Sequence, residues 1–309
     1  MSTRREAATI ALALTVCGGA ASARRVVAHD TVAVSISREP TVAEFVARAR
    51  AATSRYRDQQ AAIDAGFTRV GVDFPAMGEH WVSLERIMTD TLDAARPSVL
   101  TYVRIGGVPT LAGVAYTALL EPGEALPQFA AATPFWHEHN GTVVEESFPL
   151  ADHSRRVEPD ETHLAILHAW VWTENPDGVF MTDNWSLPYA RLGVPRPPHA
   201  APELASALSL GAGTADYYLL AARNAAQLSD EQARNAERVL RAGAERMAED
   251  LEPVRAKGVI EAGDERLLVA RWRGLWAAVA AVAPDRAASF VDLARGAGGT
   301  HASPHPSPH

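Results

Sequence analysis

His163-Leu-Ala-Ile-Leu-His168-Ala-Trp-Val-Trp172 is an apolar run with bulky residues at both odd and even positions. A strand buried on both faces reads this way, so the run predicts a central strand from His163 to Thr173. Leu164, Ile166, His168, Trp170 and Trp172 fall on one face of it, and His163, Ala165, Leu167 and Ala169 on the other. A second stretch answers it: Trp136-His-Glu-His-Asn-Gly-Thr142. Together the two hold four of the eleven histidines and three of the seven tryptophans. Asn140-Gly141 is a two-residue hairpin signal, because both positions tolerate the positive φ of a type I′ turn. In that register His139 faces Thr142 and His137 faces Val144. Phe135 then faces Glu146, so His137, His139 and Glu146 share a face, with Trp136, Glu138 and Glu145 on the other.

Working outward, a further hairpin is predicted from Ser98–Arg104 and Thr110–Leu119 around Gly106-Gly107. Upstream, Thr41 with Glu44 three residues on forms a capping box, and a helix is expected from there to about Ala65, closed by Gly66. Gly71, Pro75 and Gly78 then break the chain, which puts Met77-Gly-Glu-His80-Trp81 in a loop. Downstream, Asn175-Pro-Asp-Gly178 is a tight turn. Val179–Met181 follows as a short return strand, and Asn184–Tyr189 as a packed loop. Beyond the proline-rich boundary at 195–202 the pattern is helical. Helices are expected over 202–226, 229–257, 264–283 and 285–295, the second with Ser229/Gln232 as its capping box and Gly258 as its stop. The fold class expected is α+β: an antiparallel sheet packed by an N-terminal helix, followed by an all-helical C-terminal region.

The ends read differently. Arg4 and Arg5, an apolar stretch from Ala7 to about Ala20, and Ala21-Ser-Ala23 have the order of a secretory signal peptide, too short to span a bilayer. The expected organisation is a signal peptide at 1–23, a linker at 24–40, an α+β domain at 41–194, a linker at 195–202, a helical region at 203–296 and a low-complexity tail at 297–309. Export to the periplasm or beyond follows, with no transmembrane segment after cleavage. Lipidation at Cys17 is the weaker reading, because Val16 is large for the position before a modified cysteine. Cleavage after Ala23 removes Cys17, the single cysteine, so disulfides and thiolate ligands are excluded. The formal charge of −8 becomes about −9 without residues 1–23. An acidic chain without a basic cluster argues against nucleic acid as a partner and leaves a small molecule or an envelope protein. The Ala/Arg bias is that of a GC-rich bacterial genome.

Eleven histidines in 309 residues make one His-x-His pair unsurprising; its setting carries the inference. Two imidazoles at i and i+2 on a strand, with a third from a neighbouring strand, form a three-nitrogen face around a small cation. His137, His139 and His168 are the candidate ligands, His80 is the fourth, and Glu146 is a candidate ligand or catalytic base. Zinc is the expected divalent ion, while iron, manganese and copper suit the same donors. Trp81, Trp136, Trp170 and Trp172 are candidate cavity walls. The bland alternative makes His168 a core histidine and His80 a surface one, with His163 as packing. No Gly-x-Ser-x-Gly elbow, His-Glu-x-x-His helix, phosphate loop or dinucleotide fingerprint is present.

Met77-Gly-x-His80-Trp81, Trp136-His-x-His139 and His168-x-Trp-x-Trp-x-x-Asn-Pro-Asp-Gly-Val-Phe180 resemble, in order, the motifs of a family of uncharacterised secreted bacterial proteins. The resemblance covers about residues 41–193. It implies that these histidines belong together and carries no activity. Two readings stand. One is a secreted metal-binding protein with a mononuclear histidine site on a β-sheet, catalytic if metal-bound water is activated. The other is a metal-free envelope binding or assembly protein whose motif histidines are structural.

Overall fold

The computed structural model describes residues 41–87, 93–127, 136–139, 162–198 and 200–296, with the backbone alone at 137–139. The expected signal peptide and 24–40 linker, the hairpin turn expected at Asn140-Gly141, Glu146 and the expected low-complexity tail from 297 lie outside the described residues.

The fold is α+β, as the sequence predicts. Helix α1 (Val42–Thr53) starts where Thr41 Oγ1 accepts from Glu44 N at 3.2 Å. The expected single helix to Ala65 is broken in two. A 3₁₀ turn covers Ser54–Arg57, and α2 (Gln59–Asp64) begins afresh with Asp58 as its cap. Thr53 and Ser54 bond back to the carbonyls of Ala49 and Ala51, and the tightened turn sinks Tyr56, whose own carbonyl accepts from Tyr102 Oη. Side-chain competition for backbone groups is the physical reason for such breaks.

Five antiparallel strands follow: β1 (Thr68–Phe74), β2 (Gly78–Val82), β3 (Val99–Ile105), β4 (Val108–Leu120) and β6 (His163–Ala169). The three-residue β5 (His137–His139) adds to the far side of β6, so the order is β1-β2-β3-β4-β6-β5. A single-turn helix, α3 (Leu84–Ile87), lies between β2 and β3. The β3–β4 hairpin turns at Gly106 and Gly107, both at positive φ, with Ile105 opposite Val108. The loop expected at 77–81 is instead strand β2, paired on both sides. Gly78, at φ +79, is a turn residue that opens a strand. After it Glu79 and Trp81 alternate with His80 and Val82 as a pleat requires.

Every residue of β6 is buried, in keeping with its place between β4 and β5. The strand ends at Ala169, short of the expected Thr173. Val171 N donates to Ala169 O at 2.9 Å in a γ-type turn, and Trp172 N and Thr173 N both donate to Ala112 O. That turn breaks the alternation. Trp172 therefore leaves the face of His168 and packs toward α1, its Nε1 donating to Thr53 Oγ1 at 3.0 Å. The Asn175–Gly178 turn forms, closed by Gly178 N to Asn175 O at 3.0 Å. Val179–Met181 makes a turn and no strand, although Val179 O accepts from Trp170 N at 2.8 Å.

One face of the sheet packs on α1 and α2 through Phe45, Tyr56, Phe67, Leu100, Tyr102, Tyr116 and Leu167. Phe45 sits 5.4 Å from both Tyr116 and Phe180, ring to ring. The segment 184–189, read as a loop, contains the start of a buried helical turn, α4 (Leu187–Ala190). Helices α5 (Pro202–Gly211) and α6 (Ala215–Ala226) replace the expected single helix, separated where Gly213 takes φ +110. Helix α7 (Asp230–Lys257) has the Ser229/Gln232 capping box and ends at Gly258 in the left-handed conformation. Helix α8 (Ala262–Val282), a 3₁₀ stretch (Pro284–Phe290) and α9 (Val291–Ala294) complete the helical part. No helix among the described residues is long and apolar enough to cross a membrane.

Candidate functional site

On the sheet face turned away from α1, the register lays out a grid. His168 is opposite Ala115, which is opposite Val99, which is opposite Val82. One pleat further along, Gly113 is opposite Thr101, which is opposite His80. His80 and His168 therefore stand on strands separated by β3 and β4. Three strand spacings put their backbones roughly 14 Å apart on a flat sheet. Their ring centres are nevertheless 5.5 Å apart at 83°. The sheet must curl toward this face, and both side chains must lean inward over a floor of Val99, Thr101, Gly113 and Ala115. None of these is large enough to stand between the rings.

Both histidines are buried. Trp170 stacks beside His168 with centroids 6.1 Å apart and planes at 27°, and its Nε1 donates to Met181 O at 2.6 Å. Gly113 makes room for that stack: a Cβ there would lie 3.0 Å from Ala169 O and 3.1 Å from Trp170 Cε3. On the other side, Phe74 meets His80 edge-on at 5.3 Å and 88°.

The remaining candidates separate. On the backbone, His137 is opposite Ile166 and His139 opposite Leu164. Positions 137 and 139 thus belong to the sheet face that His168 occupies. Position 137 is diagonal to His168, on its far side from His80. Position 139 is level with Leu164, four residues or roughly 13 Å along β6 from His168. His163 starts β6 on the other face, opposite Leu120. Of the expected walls, Trp170 alone stands beside the pair. Trp81 lies on the α1 face with its Nε1 3.3 Å from Glu79 Oε2, and Trp136 packs with the α1-side core. Among the described residues, no three of His, Cys, Asp and Glu are grouped as a metal shell.

Sequence reasoning missed the neighbouring cleft. Phe74, Pro75, Ala76, Met77, Asp183, Trp185 and Tyr217 line it, so Phe74 is a wall of both the cleft and the histidine pair. Burial alone pushes the Asp183 carboxyl up to about 7. Tyr217 is pushed above the usual phenol range by burial and then by the Asp183 charge. Met181-Thr-Asp-Asn-Trp185 has no motif that would have marked it. Just outside, Arg191 holds Asp73 through two bonds of 2.7 and 2.6 Å and also donates to Phe74 O at 3.1 Å.

The fold and site define an α+β protein with a buried histidine pair on a curled antiparallel sheet. The sequence matches no protein-family model, no curated protein and no solved structure.

Proposed function

We propose that this is an exported metal-binding protein whose site centres on His80 and His168. The ring contact at 5.5 Å carries the reading. Two imidazoles on one tetrahedral ion, with Zn–N bonds of about 2.0–2.1 Å, hold their ring centres roughly 5 Å apart. The donor chemistry also fits, since buried imidazole without thiolate suits zinc and admits iron, manganese or copper. The β5 register supports His137 as the next donor, because its backbone is the nearer of the two to His168. His139 then stands further along the strand, and Glu146 is the candidate base. A bound divalent ion with an open position would lower the pKa of a water it holds.

The test is metal analysis of the purified mature protein, whose first residue is expected to be Arg24. About one ion per chain is expected, absent after His80→Ala and His168→Ala together and retained in His163→Ala. An unmutated protein without stoichiometric metal overturns the reading.

A second reading is favoured by the stacking of His168 on Trp170 and the edge-on packing of His80 on Phe74. In it the pair is aromatic core in a metal-free binding or assembly protein of the envelope. The double variant would then lose stability with no metal in either form.

A further inference from the structure

The floor under the two imidazole rings carries a single hydroxyl. Val99, Gly113 and Ala115 offer no polar side-chain atom, and Thr101 offers Oγ1. Thr101 is 1% exposed, and among the described residues its Oγ1 has no hydrogen-bond partner. The other buried threonines of the described chain are all satisfied. Thr53 donates to Ala49 O at 2.7 Å, Thr117 to Ser98 Oγ at 2.9 Å and Thr214 to Ser209 Oγ at 3.1 Å. A buried hydroxyl without a protein partner is unfavourable, and it marks a place where something bound can supply the partner.

Thr101 stands directly opposite His80 on the neighbouring strand. Side chains so placed have Cβ atoms roughly 5 Å apart. Its neighbours along β3 on the same face, Val99 and Val103, are apolar and fully buried. The indole N–H of Trp170, whose ring lies over Gly113, is taken by Met181 O at 2.6 Å. The β3–β4 register also shifts between Thr101 and Tyr102, a bulge of the kind that re-aims a side chain. Resting on the reading of His80 and His168 as metal ligands, we propose that Thr101 Oγ1 hydrogen-bonds an oxygen ligand, water or hydroxide, on the ion they hold. Two or three imidazoles leave a tetrahedral ion at least one position for solvent. A threonine hydroxyl suits either form of that ligand, accepting from a bound water and donating to a bound hydroxide. Thr101 is thus a positioning residue: it orients the oxygen without touching the ion, as outer-shell partners do.

The mature chain, stripped of metal, is titrated with zinc against a competing chromogenic chelator, as the unmutated protein and as Thr101→Val and Thr101→Ser. Valine keeps the shape of the side chain and removes the hydroxyl, whereas serine keeps the hydroxyl. Thr101→Val should weaken zinc binding by about tenfold or more, and Thr101→Ser by much less. Without metal, Thr101→Val should have a urea midpoint equal to or above that of the unmutated protein, because it loses an unpaired buried hydroxyl. A packing role gives the reverse, a lower midpoint with unchanged affinity. Cobalt(II) adds a spectroscopic readout. The visible absorption of the cobalt-loaded protein should change in Thr101→Val and return in Thr101→Ser. Zinc uptake with equal affinity in Thr101→Val overturns this inference and leaves the metal reading standing. So does a metal-free Thr101→Val less stable than the unmutated chain, or a Thr101→Ser weakened as much as Thr101→Val. An unmutated chain that takes up no zinc overturns the metal reading and this inference together.

Discussion

Asp73 and Asp183 face the same problem, a carboxylate taken out of water, and meet it in opposite ways. Asp73 is clasped by Arg191, whose side chain is 0% exposed. Removing one partner of a buried pair strands the other and costs about 3–5 kcal/mol. Asp73 itself is 12% exposed, which places Asp73→Asn near the lower end, about 3 kcal/mol, readable in urea unfolding. Asp183 has no such clasp, and its carboxyl is raised from 3.8 to about 7. The folded chain therefore holds a proton between those values that the unfolded chain has released. The sign follows: the contribution to stability is whole below about pH 4 and is lost as pH rises through about 7. Asp183→Asn should flatten that part of the profile and be more stable than the unmutated protein at pH 8. Urea midpoints at pH 5 and pH 8 check this, and a larger loss between them in the variant would contradict it.

At the level of elements, Gly78 controls β2 and with it the position of His80. It sits at φ +79 with its open side against β3, where a Cβ would lie 2.4 Å from Tyr102 O. Gly78→Ala must therefore shift backbone as well as strain it. A loss of about 2–4 kcal/mol is expected, together with a changed environment at the His80 ring in NMR. The same glycine explains why sequence reading put 77–81 in a loop. Gly71, Pro75 and Gly78 all signal turns, and four alternating residues after them carry too weak a period to outweigh that. Where local chemistry is self-sufficient, the sequence was legible. Ser229 with Gln232, Gly258, Gly106-Gly107 and Asn175–Gly178 each act within a few residues, and each ends or turns its element where expected. Trp172 shows the opposite case. Its face depends on a turn set by Ala112 O and Val179 O, groups distant in sequence from it or supplied by the returning chain. The helix breaks at 54–57 and 212–214 are of the same kind, because burial of Tyr56 and the close approach of Gly211 to Leu251 and Met247 are tertiary demands. At the candidate site, pattern brought His80 and His168 to notice as residue types. Their meeting across two intervening strands depends on sheet curl, which no spacing encodes.

For the whole molecule, the question is whether sheet and helices could exist apart. The Pro195–Pro202 stretch looks like a hinge between independent parts, yet the largest core runs through it. Phe74 and Met77 of the β1–β2 hairpin, then Tyr189, Leu192 and Val194, share one cluster with Leu204, Leu208, Tyr217, Leu251 and Trp272. Phe74 touches the ring of Tyr217 on α6 and the ring of His80 on β2, so one side chain joins the helical layer to the histidine face. A chain cut to residues 41–198 would leave these five apolar side chains without cover. At about 1.5–3 kcal/mol for each large apolar side chain, the lost burial is comparable to the whole stability of a typical domain. The shortened chain is expected to aggregate or to bind a hydrophobic dye, with its near-ultraviolet circular dichroism lost. The full chain should unfold in one transition, with tryptophan fluorescence and far-ultraviolet signal changing together. A soluble 41–198 fragment with native near-ultraviolet bands would show instead that α1, α2 and the sheet suffice. The histidine pair would then be a property of the sheet alone. If the fragment fails, the C-terminal helices have a defined role: they hold Phe74 in place, and through it one wall each of the histidine pair and the Asp183 cleft.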